Sequence, residues 1–204
     1  MKIVKIQHDT ENPMSNDDGQ WKLYSFCTRH NSFKSPSDLG LGALKDGEPT
    51  IRNPGLRQKM KVGLAFFLSY FEHGNCLWFR KGTSAPAGVE FQWDGTRIAG
   101  LLVWEHDPSE IGAKTYEDRA KDADAFLNEY TAWSNGETYC YSITDEETGE
   151  DVDCCGGFIG TEYMVSEIAS SLKGDDFEVK GDCDWLAGDI RVKQKATEKV
   201  AVPA

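Results

Sequence analysis

Alternation of apolar and polar residues, broken once by the adjacent Ile3 and Val4, opens the chain. "KIVKIQHD" sets Ile3, Val4 and Ile6 among lysines and predicts a strand, closed by the polar loop "TENPMSNDDGQ". "WKLYSFC" alternates again, with Trp21, Leu23 and Ser25 on one face and Lys22, Tyr24 and Phe26 on the other. Residues 31–55 are dense in Ser, Pro, Gly and Asp and predict a long loop. Asn53 and Pro54 then supply a cap and a first-turn proline. Leu56, Met60, Leu64, Phe67, Leu68 and Phe71 recur at helical spacing up to Gly74, so one core helix is expected there, with Arg57, Lys59 and Lys61 forming a basic start.

"CLWFRKG" and "RIAGLLVWEHD" read as strands, the second central because it is apolar from Ile98 to Trp104. Thr115, with Asp118 three residues on, opens a second helix whose stripe is Tyr116, Ala120, Ala123, Leu127 and Tyr130, stopped by Asn135 and Gly136. "TYCYSIT" and "DVDCCGG" form a hairpin. Setting Ile143 opposite Val152 puts Tyr141 opposite Cys154 and Cys140 opposite Cys155, with Val152 and Cys154 buried. Gly156 and Gly157 then make a sharp corner into a third helix, capped by Thr161, with Met164, Val165, Ile168, Ala169 and Leu172 inward. The pattern predicts one α+β domain over residues 1–192, a largely antiparallel sheet of about five or six strands carrying three helices. A frayed tail is expected over 193–204.

Composition narrows the class. Of the 204 residues 39% are apolar, with 10 Phe, 7 Tyr and 6 Trp, enough to build a core. No apolar run approaches the ~20 residues of a membrane span. The polar start and six cysteines without paired spacing lead us to expect a cytoplasmic protein with reduced thiols. The net charge is −12, and residues 105–184 hold 22 acids against 5 bases, a balance of −17. Such a field repels nucleic acid and attracts cationic protein surfaces, so the expected partner is a basic protein rather than nucleic acid or membrane. The densest part is "TDEETGEDVD", whose Asp145, Glu146, Glu147, Glu150, Asp151 and Asp153 are the candidate partner-binding residues; a solvated turn is the plain alternative.

Catalytic signatures are thin. Phosphate loops, nucleophile elbows and short-spaced zinc ligands are missing, so neither cofactor nor metal is expected; zinc on Cys140, Cys155 and Cys183 would need the fold to assemble it. His8-Asp9 and His106-Asp107 are adjacent pairs, which seldom have triad geometry. "DFEVK" sets Asp176, Glu178 and Lys180 on one face of a strand, the arrangement of a metal-dependent nuclease, and makes that the enzymatic alternative. A structural or assembly role is a third reading. "GEDVDCCGGFIG" and "WKLYSFCTRHNSF" resemble segments of small uncharacterised bacteriophage proteins. The resemblance implies a phage source and, by analogy of charge, an inhibitor of a host nucleic-acid-binding or defence protein, acting as a nucleic-acid mimic; it assigns no residue roles.

Overall fold

A computed structural model describes residues 1–10, 20–45, 48–84 and 91–201. In chain order the elements are β1 (Lys2–His8), β2 (Trp21–Ser25), β3 (Leu41–Lys45), β4 (Glu48–Ile51), α1 (Pro54–Lys61), β5 (Ala65–His73), β6 (Asn75–Arg80), α2 (Phe91–Asp94) and β7 (Gly95–Trp104). They continue with α3 (Tyr116–Ser134), β8 (Thr138–Asp145), β9 (Asp151–Ile159), α4 (Glu162–Leu172), β10 (Phe177–Gly181) and α5 (Ala187–Ala201). The class is α+β with mainly antiparallel pairing. The described strands divide among three sheets rather than one, and the described helices number five rather than three.

The chain groups into two compact units, one of Met1–Ser15 with Ala132–Ala204 and the other of Asn16–Thr131. In the first, which we call the terminal unit, the sheet order is β10-β1-β8-β9, with β1 and β10 parallel and the other pairs antiparallel. Alternation does the sorting. Val4 and Ile6 lie opposite Ile143 and Tyr141 and face the core, while Lys5 and Gln7 point away. Met164, Val165, Ile168, Ala169 and Leu172 of α4, with Leu186 and Ile190, bury that face. The stretch expected to fray is helical through Ala201, as the second part of α5; residues 202–204 lie outside the described set.

The second, or middle, unit is built on the sheet β2-β7-β5-β6. β7 is central, as its apolar run predicts. Leu102 and Trp104 pack with Ala120, Ala123 and Leu127 of α3, whereas Leu101 and Val103 pack with Leu41, Leu56 and Ala65. Residues 31–55 are therefore not a plain loop: β3 and β4 pair there. Thr115 and Asp118 form the expected reciprocal box at the start of α3, the Asp118 amide donating to Thr115 Oγ1 at 3.1 Å and the Thr115 hydroxyl to Asp118 Oδ2 at 2.8 Å.

The expected core helix over 54–74 is the largest correction. Asn53 caps α1 as predicted, its Oδ1 accepting from the amides of Gly55 and Leu56, but the helix ends at Lys61. Gly63 adopts φ +75°, and a Cβ there would press on Tyr116. The chain then runs as β5, pairing with both β6 and β7. Both faces of β5 are covered, so its sequence is apolar almost throughout and satisfies helical spacing by accident. The basic residues of α1 find carbonyls: Arg57 donates to Ile51 O at 2.6 Å and Lys59 to Trp104 O at 2.5 Å.

Candidate functional site

The acidic segment forms the tip of the β8–β9 hairpin. Asp145 builds the turn: its Oδ1 accepts the amides of Glu147 and Thr148 at 2.8 and 3.2 Å, and its carbonyl accepts the amide of Gly149, which sits at φ +71°. Its Oδ2 accepts Lys2 Nζ at 2.7 Å. That lysine, then the two amides, hold the Asp145 carboxyl down to about 2. Asp175 stands farther from the same ammonium, at 3.9 Å.

Register beyond the turn differs from the expected one by a residue. Ile143 lies opposite Asp153, Ser142 opposite Cys154 and Tyr141 opposite Cys155, with irregularities between Ile143 and Thr144 and between Tyr139 and Tyr141. A one-residue slip exchanges the faces of β9. Val152 is 42% exposed and Cys154 is exposed, where the sequence reading buries both; Cys140 and Cys155 do not face each other. Asp153 turns toward the core face instead, where its Oδ2 accepts the Ser171 hydroxyl at 2.5 Å and the Tyr141 hydroxyl at 2.8 Å. These donors, Ser171 foremost, keep its carboxyl below the usual range, while burial and then Asp153 push the Tyr141 phenol up.

The two glycines also act differently from expectation. β9 continues through them to Ile159, and the corner into α4 falls at Gly160, φ +71°. Gly157, φ +77°, donates its amide to Asp9 Oδ2 at 2.8 Å, and a Cβ on Gly156 would crowd the same carboxylate. Thr161 makes no side-chain cap.

Of the six candidate partner-binding acids, Asp145 and Asp153 are thus engaged in holding the hairpin. Glu146, Glu147, Glu150 and Asp151 remain exposed at its tip. The terminal unit as a whole, hairpin included, carries the same sign. Its 18 acids and 8 bases give −10, against 16 acids and 14 bases, or −2, in the middle unit. Residues 105–131, the first part of the acidic block read from the sequence, belong to the middle unit, where basic residues offset their charge.

The nuclease candidates lie just before β10 and along it. Asp176 precedes β10 and its carbonyl accepts the Lys2 amide; Glu178 and Lys180 share an exposed face and pair with each other at 3.1 Å. Among the described residues no three His, Cys, Asp or Glu side chains stand together as a metal-holding group, and Cys140, Cys155 and Cys183 are no exception. His8 meets the Gly136 carbonyl at 3.2 Å, and the His106 ring lies against Trp104. The histidines with polar side-chain partners are others: His73 with Asp94 at 3.0 Å and His30 with Ser25 at 2.8 Å.

Comparison with protein-family models, with curated proteins and with solved structures finds no match. No described helix is long and apolar enough to cross a membrane. The sequence reading missed one constellation altogether. "CTRH", Cys27 to His30, forms a turn against Tyr70, Glu72 and Trp78, and the only local signal was a cysteine, an arginine and a histidine within four residues.

Proposed function

We propose that the protein is a non-enzymatic interaction protein whose terminal unit binds, and thereby blocks, a cationic protein surface that otherwise grips nucleic acid. The observation that carries the reading is the segregation of charge: −10 of the net −12 belongs to one compact unit, whose hairpin projects Glu146, Glu147, Glu150 and Asp151 into solvent. Like charges packed at a turn repel one another, so folding alone gives little reason for them. A cationic partner turns that repulsion into attraction and speeds encounter by steering. A phage-encoded inhibitor of a host defence protein fits this chemistry, by the resemblance noted above.

The test is capture of basic proteins from bacterial lysate on the immobilised full chain, with a variant carrying Glu146→Gln, Glu147→Gln, Glu150→Gln and Asp151→Asn beside it. We expect a basic protein retained at about 0.05 M salt, released by about 0.5 M and displaced by nucleic acid. The variant should not retain it. Retention indifferent to salt and to all four substitutions would reject the electrostatic mechanism.

A further inference from the structure

The middle unit contains an open cavity of about 520 Å³, bounded by the turn after β2, by Tyr70 and Glu72 of β5, by Trp78 of β6 and by the stretch from Trp93 to Thr96. Cys27 lines it, in a turn tied by hydrogen bonds. Ser25 is fully buried; its Oγ accepts the Cys27 amide at 3.1 Å and meets His30 Nδ1 at 2.8 Å, and the His30 amide returns to the Cys27 carbonyl at 3.1 Å. Arg29 follows in the same turn and lines the cavity together with Cys27. The opposite wall is aromatic. Tyr70 and Trp78 lie tilted at 44° with ring centroids 4.4 Å apart, and the His30 ring stands at a steep angle to each, at 5.1 and 5.5 Å.

We propose that this cavity is a thiol-exchange site, in which the Cys27 sulfur attacks a small disulfide whose substituent lies against the Tyr70 and Trp78 rings. The thiolate forms a Cys27–S–S–R bond as the R–S–S–R bond breaks. One sulfur leaves as RS⁻ and takes a proton from solvent, so the disulfide is reduced and Cys27 oxidised with no other reactant. The site is reversible by any thiol, which makes it a modification site rather than a permanent crosslink.

The electrostatics agree with the geometry. Arg29, through its amide first and its guanidinium second, draws the Cys27 thiol below its ordinary value, opposed by desolvation and by Glu72. The titratable groups lining the cavity with Cys27 are Arg29 and His30 from its own turn, Tyr70 and Glu72 from β5, and Asp94 from α2. Burial lowers the His30 imidazole below its ordinary value, with Glu72 opposing, and Glu72 accepts the Tyr70 hydroxyl at 2.9 Å. By contrast, burial raises the thiols of Cys140 and Cys183. Cys154 and Cys155 are more exposed than Cys27 but stand in the acidic hairpin.

Exposure and activation therefore give opposite orders of reaction. The folded full chain is treated with a substoichiometric amount of 5,5′-dithiobis(2-nitrobenzoate), an aromatic disulfide, and the modified peptides are identified by mass. We expect Cys27 to be modified first, and the fast phase to vanish in Cys27→Ser. Arg29→Gln should slow that phase about threefold for each unit by which the thiol pKa rises, because lost thiolate is partly offset by higher nucleophilicity, and should move the pH midpoint of the rate upward. Modification of Cys154 or Cys155 ahead of Cys27, or a rate and midpoint unchanged in Arg29→Gln, would overturn the proposal.

Discussion

The two units solve the burial of a four-stranded sheet in opposite ways. In the terminal unit one face is covered by α4 and α5, and the other carries Lys5, Gln7, Ser142 and Thr144 outward. In the middle unit both faces are covered, and β7 is buried at every position from Ala99 to Trp104. Charge follows the same division. Acids of the middle unit are matched in place: Asp124 receives a two-pronged bond from Arg80 at 2.6 and 2.7 Å, Asp122 the Trp21 indole at 2.7 Å, and Glu105 the Tyr24 hydroxyl at 2.6 Å. Those of the terminal unit's hairpin tip are left to solvent. A sheet with a free face can carry an interaction surface; a sheet enclosed on both sides places its chemistry in a cavity at its margin.

The strongest way to break this contrast is to empty the enclosed sheet. Leu102 is fully buried, between Leu23 on β2 and Phe66 on β5. Leu102→Ala should cost about 2 to 5 kcal/mol in denaturant unfolding, the range for a leucine cavity in a packed core. A loss under about 1 kcal/mol would mean that the two faces of this sheet are not packed as described.

Next in size is the pair of acids that hold the hairpin. Asp153→Asn weakens the acceptor of two hydroxyls and should cost about 1 to 3 kcal/mol, whereas Glu150→Gln, exposed, should stay within about 0.5 kcal/mol. Asp145 tests the same division through pH. Its carboxyl is held at about 2 in the folded chain, chiefly by Lys2, against about 3.9 when unfolded. A depressed value means stabilisation fully present above pH ~4 and lost as pH falls toward about 2. Asp145→Asn should therefore flatten the loss of stability across that window, measured by unfolding at a series of pH values. An unchanged slope would remove Asp145 from the structural role.

How much was legible follows from the same contrast. Half-exposed elements announce themselves: β1 and β8 show the alternation of one-sided strands, and the five inward residues of α4 stand at helical spacing. Enclosed ones do not, since β5 is apolar on both faces and only the left-handed conformation of Gly63 reveals where the helix stops. The hairpin slip escaped for a different reason. Apolarity argued for Val152 inside and Asp153 outside, but hydroxyls from Tyr141 and from Ser171, on another element, satisfy the inward carboxylate. Of the six candidate acids the sequence located the tip correctly and could not tell the two structural ones from the four exposed ones. The Cys27 cavity was illegible because Tyr70, Glu72 and Trp78 reach it from other strands.

The smallest expected effect is the most specific check of the slipped register. With Ser142 opposite Cys154, the Cys154 side chain lies on the exposed face of β9, next to an exposed Val152. Cys154→Ser then exchanges one solvated polarizable group for another and should change stability by less than about 0.5 kcal/mol. In the unslipped register the same hydroxyl would enter the core without an assured partner and cost about 1 to 3 kcal/mol. Cys183, only 2% exposed among Leu186, Ile190 and Tyr139, supplies the internal control, since Cys183→Ser should show the larger loss in the same unfolding experiment. A loss at Cys154 as large as that at Cys183, in the range of about 1 to 3 kcal/mol, would return Cys154 to the interior and, with it, restore the pairing of Ile143 with Val152.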